Sequence, residues 1–269
     1  MSTPPTKPEP GSSTPTTKTP GAITKAVSVA TKIPPSNCFQ TIVTIEVGAE
    51  KKAFMVHKDL LAFYSDYFRG AFDGSFKEAT DRKLSLPDDC IGVFNVFNKY
   101  IYTRQLSDGE DSDVSWELIV GCWLFGDKYI IPSFQNKIMD VLYSKSLKLK
   151  VIPTKSLKLI YNDTLPGAPL RRILVDWAAF RGNMKLMMST EMNFQWPREA
   201  LVDLATILGG KKAEEIGVFA LPVNNAAKCY YHVHNEGESC PWTGLDLFQR
   251  DKYSSQTGTE HSYPTAYTH

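Results

Sequence analysis

The sequence has no apolar run approaching the roughly 20 residues that a membrane-spanning helix needs, so no span and no membrane partner are expected. Its first residues, MSTPPTKPEP, lack the apolar core of a secretory leader. Cysteine is sparse: the five present are scattered and odd in number, which argues against a secreted disulfide framework. The expected location is therefore intracellular, cytoplasmic or nuclear. An excess of charge of one sign is also missing. Lys and Arg total 30 against 29 Asp and Glu, so no global field draws in nucleic acid, and direct nucleic-acid contact is not expected. G-x-S-x-G, G-x-x-x-x-G-K-[ST] and the Gly-rich dinucleotide turn are all absent. No catalytic residue and no organic cofactor are assigned, and the expectation is a protein that is not an enzyme.

What the chain does have is enough apolar material, 42% of its residues, to build a real core. Residues 1–36 carry eight of the 17 prolines, interleaved with Thr, Ser and Lys. Such a segment buries too little apolar surface to offset its ordering entropy, and it is read as a disordered leader. Order begins near Thr41. TIVTIEV alternates, with Val43, Ile45 and Val47 on one face, and Gly48-Ala49-Glu50 turns it into a second β-rich run, KKAFMVH. From Leu60 the period changes to that of a helix, and Ser65 offers a cap that divides the stretch into two short helices. KLSLPDD reads as a brief strand, CIGVFNVFNKYIY as a helix, and the acidic residues 107–113 as a loop. Ser115 caps a further helix with Trp116, Ile119, Val120, Trp123 and Leu124 on one stripe. Pro132 opens the next, with Phe134, Ile138, Val141 and Leu142 inward. A hairpin, two helices, a strand and three helices make an α+β domain of about 100 residues, within the ordinary domain range.

His57-Lys58-Asp59 invites a catalytic reading. A catalytic histidine needs a nucleophile or a substrate pocket and an orienting partner, and the sequence supplies no such constellation around it. His57 is therefore expected to be structural, standing where the second strand gives way to a helix.

Three stretches, in order, resemble the BTB/POZ domain. The first is FMVHKDLL from Phe54, continued by Ser65-x-Tyr67-Phe68 and Phe76-Lys77-Glu78-Ala79; the second is YIYT at 100–103; the third is FGDKYIIP at 125–132. The resemblance covers residues 38–146 and, with the Ser/Thr/Pro-rich leader, is most similar to fungal members. It implies a BTB/POZ fold, a short hairpin sheet with a helical bundle, whose signature positions here are His57, Lys58, Leu60, Leu61, Ser65, Tyr67 and Phe68. It also implies a protein-interaction module: an adaptor or scaffold that forms homodimers. Members that dock a cullin-type ubiquitin ligase carry an apolar-x-Glu triplet, and Phe76-Lys77-Glu78 stands at that place, making Phe76 and Glu78 the candidate partner interface. The alternative is a transcriptional or chromatin regulator acting through recruited partners. Gln40-Thr41 replaces the Asp that many members carry before the first strand, which weakens the co-repressor version of that alternative.

After Ser146 the pattern stays helical. Leu157, Ile160 and Tyr161 share a face, LPGAP interrupts, and Leu170, Ile173, Leu174 and Trp177 form a second stripe. A last helix runs from about Arg198 to Leu208, between Pro197 and Gly209-Gly210. Residues 147–210 are thus a helical extension, which either enlarges a cullin-docking surface or only stabilises the domain. In residues 211–240, the segment CYYHVHNEGESC gathers Cys229, His232, His234 and Cys240. On a strand the two histidines share a face, and with the cysteines they make a candidate Cys2His2 set for one structural Zn²⁺. The alternative is a surface hairpin in which they are incidental. Residues 241–269 are polar, without sustained periodicity, and are expected to be a disordered tail.

Overall fold

The computed structural model describes residues 33–181, 196–210 and 230–234. The leader up to residue 32, the tail from 241 and both cysteines of the candidate zinc set lie outside the described residues. Strands β1 (Ile42–Val47) and β2 (Lys52–His57) form an antiparallel hairpin in the register Ile42↔His57 to Val47↔Lys52. Val43, Ile45 and Val47 are buried, as the alternation requires. The hairpin turn needs left-handed backbone at Gly48, with φ 76°, and there a Cβ would press on the Ile91 side chain at 3.3 Å. Strand β3 (Lys83–Leu86) pairs in parallel with β1, giving the order β2-β1-β3 with β1 in the middle.

A parallel neighbour demands a crossover. Residues 58–82 provide it as α1 (Lys58–Tyr64), α2 (Asp66–Asp73) and α3 (Lys77–Asp81). The five-residue α3 is an addition to the expected elements. It buries no side chain and Phe76, at its N-cap, makes no capping bond, so neither periodicity nor a cap signalled it.

Helices α4 (Ile91–Thr103), α5 (Trp116–Lys128) and α6 (Pro132–Leu149) complete the bundle. The stripe on α5 needs correction: Trp116 and Leu124 are half-buried, whereas Cys122 and Phe125 are buried with Ile119, Val120 and Trp123. The cause is position. Lying against α4, α6 and the next helix along, α5 loses the single wet face that makes a stripe legible. The acidic loop contains a 3₁₀ turn at Asp111–Asp113 and is pinned from α6 by buried Lys145, whose ammonium donates to the carbonyls of Ser112 at 2.8 Å and Val114 at 2.5 Å.

Beyond it come α7 (Leu157–Asp163), α8 (Pro169–Arg181) and α9 (Arg198–Gly209). Arg171, buried on α8, ties its own helix to α7 by donating to the Tyr161 carbonyl at 2.7 Å, the Thr164 hydroxyl at 2.7 Å and the Thr164 carbonyl. Tyr161 in turn donates to Asp203 of α9 at 2.7 Å. The protein is α+β: a small mixed three-stranded sheet with a helical bundle, followed by further helices. Among the described residues no helix is long and apolar enough to cross a membrane.

Candidate protein-interaction surfaces

The residues of the opening signature divide sharply between core and rim. Leu60, Leu61 and Phe68 are fully buried, and Phe68 stacks on Phe97 and Tyr129 with ring centroids 6.0 and 5.4 Å away. Ser65 is buried and works in both directions: its hydroxyl accepts from the Phe68 N–H at 3.1 Å and donates to the Tyr129 carbonyl at 2.6 Å. It thus starts α2 and fastens it to the end of α5. Burial, reinforced by the hydrogen bond to Asp89, pushes the Tyr129 phenol well above its ordinary range. Burial also pushes the phenol of Tyr64, at the end of α1, up to about 12.

His57 stands at the N-cap of α1. Its Nδ1 lies 2.8 Å from the Tyr102 hydroxyl, which also accepts from the His57 backbone N–H at 3.2 Å. Rings of Phe39 and Tyr102 meet its imidazole edge-on at 5.5 and 5.8 Å. With a phenol and two ring edges as neighbours, His57 joins the start of α1 to the end of α4. Lys58 pairs with Asp73 at 2.7 Å and Asp59 at 3.3 Å, and the Asp73 hydrogen bond chiefly holds its ammonium above the ordinary lysine range. Tyr67 lies partly in solvent, its ring 4.8 Å from that of Tyr129.

Among the described apolar side chains that face water, two areas adjoin the signature residues. On the outer side of the hairpin, Ile42 and Met55 are 46% and 73% exposed, where alternation calls for polar residues. Phe39 and Tyr102, flanking His57, are partly exposed, a little under half each, and extend that area. Separately, Phe76 is 64% exposed at the start of α3, and its ring covers Gly74 so closely that a Cβ there would fall 2.8 Å from the ring. Glu78, two residues on, is half-buried in the first turn of the same helix.

The segment 230–234 does not form the expected strand: Tyr230 and Tyr231 turn, and residues 232–234 join no ladder. They are held by side chains instead. Asn136 of α6 accepts from the Val233 N–H at 2.7 Å and donates to the Val233 carbonyl at 2.8 Å, so the hydrogen bonds that a neighbouring strand would take are already used. His232 and His234 have ring centroids 5.9 Å apart, and His232 Nε2 lies 3.0 Å from Asp140 Oδ1. Among the described residues no cluster of three or more His, Cys, Asp or Glu forms a metal site.

Compared with protein-family models, residues 36–146 match the BTB/POZ domain. That segment is a BTB/POZ domain. Its span takes in the three-stranded sheet and α1 to α5, and ends inside α6. No curated protein matches the chain. A BTB/POZ domain is a non-catalytic module for protein–protein interaction, so protein partners, with self-association among the options, are what it brings to this chain.

Sequence reasoning missed two features of the BTB/POZ domain and its extension: the Tyr102 anchor of His57, and the Asn136, Asp140 and Asp176 contacts to residues 231–233. The second had a signal. Asp176 interrupts LVDWAAF, and a carboxylate set among Leu174, Val175, Trp177 and Ala178 must find a buried partner.

Proposed function

We propose that the protein is a non-enzymatic adaptor or scaffold that self-associates through its BTB/POZ domain and recruits a cullin-type ubiquitin ligase. Supporting self-association is the outer hairpin face, where Ile42, Met55, Phe39 and Tyr102 leave apolar surface in water beside a domain of the interaction class. Light scattering of the full chain at micromolar concentration should give a dimer, and Met55→Glu should shift it toward monomer. A wild-type monomer rules self-association out. Kinship with fungal members belongs to the same reading and rests on the motif spacing and the leader.

Cullin recruitment is supported by Phe76, an exposed aromatic anchor two residues before a carboxylate, in the arrangement of a binding hot spot. In a pull-down with a cullin N-terminal domain, the wild-type chain should be recovered and Phe76→Ala lost. Equal recovery removes the triplet's role, and no recovery of either removes the adaptor reading. A structural Zn²⁺ on Cys229, His232, His234 and Cys240 is the cofactor proposal. The closeness of the two imidazoles suits a shared ion, which would fix the segment as a closed, non-catalytic site. About one zinc per chelator-washed chain, lost in His232→Ala, is the expected result; metal-free wild-type protein discards it.

A further inference from the structure

Helices α6 and α8 each present a polar pair one turn apart: Asn136 and Asp140 on the first, Arg172 and Asp176 on the second. The helices meet where the ring of Tyr143 lies 6.0 Å from that of Trp177. Residues 230–234 contact all four polar side chains. The Tyr231 phenol enters the protein, 7% exposed, and donates to Asp176, itself 4% exposed, at 2.7 Å. The Arg172 guanidinium lies 4.7 Å from the centre of the Tyr230 ring. Asp140 takes His232, and Asn136 brackets the main chain of Val233.

We infer that the groove between α6 and α8 is a docking site for a linear peptide of tyrosine–imidazole–aliphatic chemistry, and that the chain carries a copy of that ligand in residues 230–234. The contacts divide as in peptide recognition. Asn136 reads the backbone as a neighbouring strand would, with no preference for side chain, while the buried Asp176 demands a hydroxyl at the right depth. An apolar ring without that hydroxyl leaves the Asp176 carboxylate without the phenol's donor, and this is the origin of selectivity for tyrosine. Residues 211–229 connect α9 to the docked segment. Being part of the same chain, the docked copy binds intramolecularly and competes with any partner peptide. The site uses none of the residues of the hairpin face or the Phe76 triplet, and its failure would leave the adaptor reading untouched.

The test uses the full chain and a fluorescein-labelled peptide YYHVHNE, residues 230–236, in buffer with EDTA so that no metal bridges the histidines. Val233→Pro removes the N–H that Asn136 accepts from and alters the ligand, not the groove. The peptide should bind Val233→Pro at least about tenfold more tightly than wild type, the competition expected of a tethered ligand. Adding Asn136→Ala to Val233→Pro should return binding to the wild-type level or below. Tyr231→Phe, which keeps the ring and loses only the hydroxyl, should give a smaller gain in the same direction, and it decides the matter where Val233→Pro lacks the wild-type circular dichroism spectrum. Absence of saturable binding to both variants, equal binding to wild type and variants, or indifference to Asn136→Ala overturns the proposal.

Discussion

Ser65 shows how much a single hydroxyl can carry. It caps α2 and also bonds the Tyr129 carbonyl, 64 residues away in sequence, from a buried position. Ser115 is its natural control, since it caps α5 by accepting from the Leu118 N–H at 3.2 Å at an exposed site. Removing an exposed cap costs about 1 kcal/mol. Ser65→Ala loses the cap and also strips a buried carbonyl of its donor, which adds about 1–2 kcal/mol. Urea unfolding should therefore rank Ser65→Ala below Ser115→Ala by at least that second amount. If the two variants lose the same stability, the Tyr129 bond contributes nothing. The cap at Ser65 was visible in the sequence because capping is local. The bond to Tyr129 was not, because it depends on which helix end arrives beside it.

The same division holds for whole elements. β1 and β3 were legible from alternation, and α4 from its apolar stripe, because each keeps a more exposed side. On α6 the stripe Phe134, Ile138, Val141 and Leu142 was correct but incomplete, since Gln135, Met139 and Tyr143 are buried too. The parallel pairing of β3 beside β1 was not legible, since nothing local distinguishes a parallel edge from an antiparallel one. On α8 the stripe Leu170, Ile173, Leu174 and Trp177 was correct but incomplete: Val175, Ala178 and Ala179 are buried too, and so are the charged Arg171 and Asp176. A helix enclosed on most sides hides its orientation, and its charged residues then become the informative ones. Arg171 spends its donors on α7, and Asp176 receives Tyr231. Of the candidate sites, the exposure of Phe76 depends on how a short, unpatterned helix meets the sheet, and that geometry leaves no periodic trace.

At the scale of the molecule, the described buried residues belong to one cluster that runs from Cys38 to Tyr231 and takes in both the BTB/POZ domain and the helices after it. α5 packs against α7, and Tyr143 on α6 meets Trp177 on α8. An appendage with its own core would melt by itself, whereas one sharing a core should unfold with the domain in a single step. Trp177→Ala tests this, because it opens a cavity in the extension worth about 3–5 kcal/mol. Trp123, fully buried within the domain, remains as a fluorescent reporter. The variant should show one transition at a lower urea midpoint, with tryptophan fluorescence and far-ultraviolet circular dichroism falling together. Two separated transitions, the later one at the wild-type midpoint, would mean that the extension leaves first and the domain stands without it. The shared core would then be too weak to couple them, and any partner surface built from both would exist only while the extension stays docked.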